Sequence, residues 1–68
     1  MHSLTYKEEN DLLIKIFKAK GEDFIVENGV PLLYGRSGWS DYDYCSVGVD
    51  DRLLYLKIAK DWKTRGLI

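Results

Sequence analysis

"DFIVENGVPLLYG", residues 23–35, decides the fold. Asn28-Gly29 is the pair best able to take positive φ at both centres of a type I′ turn, and β-branched and aromatic residues flank it. The stretch reads as a β-hairpin with strands near 23–27 and 30–34. Pro31 has no N–H to give to a ladder, so the second strand should be an edge there or its pairing should be short.

Downstream, "GRSGWS" (35–40) is a loop by composition, with Trp39 on it either as a core plug or as a binding platform. In "DYDYCSVGV" (41–49) a period of two places Tyr42, Tyr44 and Ser46 on one face, and Asp41, Asp43, Cys45, Val47 and Val49 on the other. That second face turns from acidic to apolar along its length. It predicts a third strand whose later half enters the core while its acidic end stays wet.

Helices are expected on both sides of the sheet segment. Thr5 can cap a helix over 6–20, with Glu8 reaching back to the Thr5 N–H and Gly21 ending it. Tyr6, Leu12, Leu13, Ile16 and Phe17 share one face of that helix. A last helix starts near Val49, where Asp50 or Asp51 can cap, and stops at Gly66. Its apolar stripe is read as Leu54, Tyr55, Ile58, Ala59 and Trp62. Opposite stand Lys57, Lys60, Lys63 and Thr64, with Leu53 and Leu56 among them. Two leucines on a basic face predict burial on both sides or a meeting with another chain.

The expected fold is therefore a single α+β domain over 1–68: an N-terminal helix, a small antiparallel sheet of about three strands including the 23–34 hairpin, and a C-terminal helix, with both helices on one sheet face. Its expected core is Leu12, Leu13, Ile16, Phe17, Phe24, Val26, Leu32, Cys45, Val47, Leu54, Ile58 and Trp62. Leu67-Ile68 resembles the short strand that closes many winged-helix domains, which makes a truncated winged helix the alternative.

Bulk properties narrow the classes. At 46% apolar, 13% aromatic and 31% charged, the chain is too hydrophobic for a disordered tail and too evenly polar for a membrane span. At 68 residues it has room for one small core of marginal stability, which a partner or self-association could supplement. The lone Cys45 can form no intramolecular disulfide, and one Cys with one His cannot build a four-ligand zinc site. No basic segment followed by an apolar run opens the chain, so a cytoplasmic protein without a leader is expected. Net charge is −1, but unevenly spread: an acidic middle, with Glu22, Asp23, Glu27, Asp41, Asp43, Asp50 and Asp51, precedes a basic end with Arg52, Lys57, Lys60, Lys63 and Arg65.

Catalysis finds few residues to use. A Cys45–His2 nucleophile pair would need the terminus pinned to the third strand, and Cys45 reads better as a core thiol. Asp41 with Asp43, and Asp50 with Asp51, lack the spacing of a calcium loop and the cleft of a glycosidase. No catalytic residue, cofactor or metal is assigned. Binding is the better reading. Trp39, Tyr42 and Tyr44 interleaved with Asp41 and Asp43 suit a protein interface selective for a basic partner, joined by Leu53 and Leu56 of the last helix. The expected function is a cytoplasmic, non-enzymatic interaction module, an inhibitor or adaptor, compatible with homo-oligomerisation and with the economy of a viral or mobile-element product. The competing expectation is a small nucleic-acid-binding regulator using Lys57, Lys60, Lys63 and Arg65.

Overall fold

A computed structural model describes residues 4–36 and 42–68. The order is α1 (Tyr6–Lys20), β1 (Phe24–Glu27), β2 (Val30–Arg36), β3 (Tyr42–Ser46) and α2 (Val49–Thr64), with the strands in one antiparallel sheet ordered β1-β2-β3. This is the expected α+β arrangement.

Local chemistry explains the ends of each element. Thr5 accepts the Glu8 N–H at 3.2 Å while Glu8 accepts the Thr5 N–H at 3.0 Å, a reciprocal cap that starts α1. α1 stops where Gly21 turns left-handed at φ 75°, letting the Glu22 N–H reach back to the Phe17 carbonyl at 2.9 Å. α2 ends the same way, with Gly66 at φ 78° and the Leu67 N–H on the Trp62 carbonyl at 2.8 Å. Its start differs from expectation. The cap is Gly48, which makes no side-chain hydrogen bond, and Asp50 and Asp51 lie inside the first turn, where they oppose the positive end of the helix dipole. Val49 is accordingly the first helical residue and is exposed.

The hairpin turns on Asn28 (φ 52°) and Gly29 (φ 80°), both positive as a type I′ turn requires. A two-residue turn pairs Glu27 with Val30, and counting outward pairs Val26 with Pro31 and Phe24 with Leu33. Pro31 lies in the central strand, yet β3 pairing begins only at Leu32 with Ser46, so no neighbour awaits the missing N–H.

The sheet's two faces follow from that register. Phe24, Leu33 and Cys45 share the face that α1 covers, and α2 packs chiefly on α1 rather than, as expected, beside it on the sheet. Arg52 meets Glu9 at 3.4 Å near the start of both helices, and Lys20 lies over Trp62 near their ends, so the helices run in the same direction. Leu12, Leu13, Ile16, Phe17, Leu56 and Ala59 form the buried core, with Leu4, Phe24, Leu33, Val47, Tyr55, Ile58, Trp62 and Ile68 packed on it. Four expected core positions are corrected, the first being Cys45, which is only half-buried and stands outside this cluster. Leu32 belongs to the opposite sheet face, because the turn puts odd-numbered β2 residues inward, and Leu33 takes its place. Val26 points inward but stands on the edge strand and is 48% exposed, although its partner Pro31 on the same face is fully buried. Leu54 is 54% exposed while Leu56 is 5% exposed, because α2 is rotated so that Arg52, Tyr55, Leu56, Ala59 and Trp62 face α1.

Candidate interaction surface

Tyr42 and Tyr44 do share a face, the one turned away from the helices. Between β1 and β3 on that face stands Tyr34, which sequence reasoning did not single out. Its ring stacks on Tyr42 with centroids 6.2 Å apart, and meets Tyr44 edge-on at 5.0 Å. Tyr34 is 48% and Tyr42 63% exposed, so two of the three rings present much of their surface to solvent. The missed signal was the register: a two-residue turn at 28–29 fixes the parity of β2 and sends Tyr34 outward.

Acids border the tyrosines. The Tyr44 hydroxyl donates to Asp23 at 2.8 Å, crossing from β3 to the residue ahead of β1. This hydrogen bond, aided by desolvation and by the negative charge of Asp23, raises the Tyr44 phenol above its ordinary value. Glu27 and Ile25 continue the same face along β1, and Leu32 lies between Ile25 and Ser46. An open groove is lined by Val30, Leu32, Tyr44 and Ser46 of this face and by Cys45 of the other, together with Glu27, Asn28 and Tyr6 of α1.

The other expected interface residues are dispersed. Asp43 points to the helix side of β3, and its carboxylate accepts the Tyr44 N–H at 2.7 Å. Trp39 and Asp41 lie outside the described residues. Leu56 is core and cannot contact a partner, while Leu53 is exposed on α2, away from the sheet face. Cys45 is half-buried beside Leu33, with its thiol near the Leu33 carbonyl at 4.0 Å; His2 lies outside the described residues.

Lys57, Lys60, Lys63 and Arg65 are exposed, but they do not form an unbroken stripe. Arg65 pairs with Asp61 at 3.2 Å, and Lys63 borders a groove that also holds Glu8, Asp11 and Lys15 of α1. Among the described residues, no group of three or more His, Cys, Asp or Glu converges as a metal site would require, and no helix is long and apolar enough to cross a membrane. No protein-family model, curated protein or solved structure matches this chain.

Proposed function

We propose that this protein is a non-enzymatic interaction module, acting in the cytoplasm as an inhibitor or adaptor, that binds another protein through the outer face of its sheet. The observation that carries the reading is the Tyr34–Tyr42–Tyr44 cluster, with Tyr34 and Tyr42 exposed, on the sheet face opposite Phe24, Leu33 and Cys45. Tyrosine favours such a role because it buries a large area while losing few torsions, and the ring contacts already hold these side chains in place. Asp23 and Glu27 on the same face add selectivity for a basic partner.

The test is capture of partners by the full chain from a nuclease-treated lysate, compared with a chain carrying Tyr34→Ala and Tyr42→Ala. Loss of a stoichiometric protein partner, with the variant still folded, is expected. An unchanged partner profile overturns the reading. The nucleic-acid alternative predicts instead nuclease-sensitive capture that weakens steeply with salt and fails with Lys57→Glu and Lys60→Glu. The pairing of Arg65 with Asp61 weighs against it.

A further inference from the structure

Three strands leave two sheet edges, and their backbone directions can be derived. Tyr34 donates its N–H to the Asp23 carbonyl at 2.9 Å, so even-numbered β2 residues address β1 and odd-numbered ones address β3. Leu33–Cys45 and Gly35–Asp43 are therefore the bonded pairs of β2 and β3, and Tyr44 turns its N–H and C=O to the outer edge. By the same count Ile25–Leu32 and Glu27–Val30 are the bonded pairs of β1 and β2, which leaves Phe24 and Val26 with outward backbone groups.

The two edges differ. On β3 the Asp43 carboxylate occupies the Tyr44 N–H, placing a charge at the middle of the edge, one of the devices that stop strand addition. On β1 no described residue accepts the Phe24 or Val26 N–H, and Ile25 and Val26 are 42% and 48% exposed. β1 is the open edge.

Its side chains say what fits. The outer face reads Asp23, Ile25, Glu27: acid, apolar, acid at alternate positions. A second copy of this chain paired antiparallel about Ile25 would oppose Asp23 to Glu27 of the second copy twice, and paired about Val26 would oppose Ile25 to that acid. A strand with basic, apolar, basic residues at alternate positions makes every cross-strand pair favourable.

We propose that β1 is a docking edge for an extended basic segment of a partner protein, which adds as a fourth strand with a basic–x–apolar–x–basic pattern. This rests on the interaction-module reading and names the chemistry of its partner. Main-chain bonds to Phe24 and Val26 supply affinity, and Asp23 and Glu27 supply specificity.

The experiment is a titration of the isotopically labelled full chain, followed by NMR up to millimolar ligand, with the capped peptide Ser-Lys-Thr-Val-Thr-Lys-Ser and with its counterpart bearing Glu for Lys. The Phe24 and Val26 amides are expected to shift and to exchange more slowly with the lysine peptide. The glutamate peptide should bind about tenfold more weakly, because two cross-strand charge pairs turn from attractive to repulsive. Asp23→Lys with Glu27→Lys should reverse the preference. Val26→Pro should abolish binding while keeping the fold, since it removes only an outward donor; if that chain does not fold, the charge reversal alone decides. Equal binding of both peptides, no binding of either, shifts confined to Tyr42, Tyr44 and Ser46, or self-association that protects the same amides without peptide each overturn the proposal. Natural-partner capture that survives Val26→Pro but not Tyr34→Ala with Tyr42→Ala removes the edge and leaves the tyrosine face standing.

Discussion

Two phenols donate to carboxylates, Tyr44 to Asp23 at 2.8 Å and Tyr55 to Glu22 at 3.2 Å. Tyr55 is raised above 10.0 mainly by burial, then by the charge of Glu22 and its hydrogen bond; Tyr44 is raised mainly by its bond to Asp23. A phenol whose folded value exceeds its unfolded one contributes stability that is complete below pH 10.0 and disappears as pH rises through the folded value. The stability of the wild type relative to Tyr55→Phe and to Tyr44→Phe, followed by thermal melts, should therefore be level from neutrality to about pH 9.5 and fall above it. A wild type that gains stability relative to either variant with alkali contradicts this. Asn10 offers a different test. It is 3% exposed, and its Oδ1 has no hydrogen-bond partner among the described residues, so its burial opposes folding. Asn10→Leu should raise stability by about 1 kcal/mol in urea unfolding, near the lower end of what an unsatisfied buried group costs. Neither Asn10 nor Tyr34 stands out in the sequence, since what makes each notable is its neighbours across the fold. Tyr42 and Tyr44 could be read because alternation along one strand is local information.

At the scale of elements, the same distinction separates α1 from α2. α1 carries a capping box, a C-terminal glycine and one apolar stripe, and it spans Tyr6–Lys20 as those cues require. α2 has apolar residues around much of its circumference at Leu53, Leu54, Tyr55, Leu56 and Ile58, so periodicity fixes its rotation only loosely. The Arg52 side chain shows how the rotation is resolved: its guanidinium lies 3.4 Å from Glu9 and 4.7 Å from the Tyr6 ring, long-range contacts that no window along α2 contains. Leu56→Ala should then cost about 2–4 kcal/mol, whereas Leu54→Lys should stay within about 0.5 kcal/mol. Denaturant midpoints of the two variants check the rotation directly. The start of α2 misleads for a related reason: Asp is favoured both as a cap and within the first turn, and only the structure shows that Gly48 holds the cap. Gly48 has extended φ and ψ (−61°, 157°), and the nearest atom to an added Cβ is the Asp51 Oδ2 at 4.0 Å. Gly48→Ser should be stabilising by a few tenths of a kcal/mol, roughly the advantage of a side-chain cap over glycine. A lower midpoint would show that the hydroxyl does not reach the first-turn amides.

On the scale of the whole molecule, one ring joins the layers. Phe17 meets Phe24 of β1 with centroids 5.6 Å apart and Tyr55 of α2 edge-on at 4.8 Å, and it is fully buried. The sheet therefore has its tie to α2 largely through α1. The chain is also extended for its size, with a radius of gyration of 12.4 Å against about 11 Å for 68 residues. Such a shape fits helices that pack chiefly on each other, with the sheet joined to them mainly through α1. Total stability for a chain of this length is on the order of 3–10 kcal/mol, while Phe→Ala in a core costs about 3–5 kcal/mol. Phe17→Ala should accordingly remove much or all of the folding free energy, and it should do so for the helices and the sheet together. Far-ultraviolet circular dichroism in urea, compared with NMR of the Phe24 and Leu33 amides, separates the outcomes: coincident transitions at a sharply lowered midpoint are expected. Helical signal that persists after the sheet amides have lost protection would instead mean that α1 and α2 pair independently, and that the sheet with its tyrosine face is held by more local contacts than Phe17 supplies.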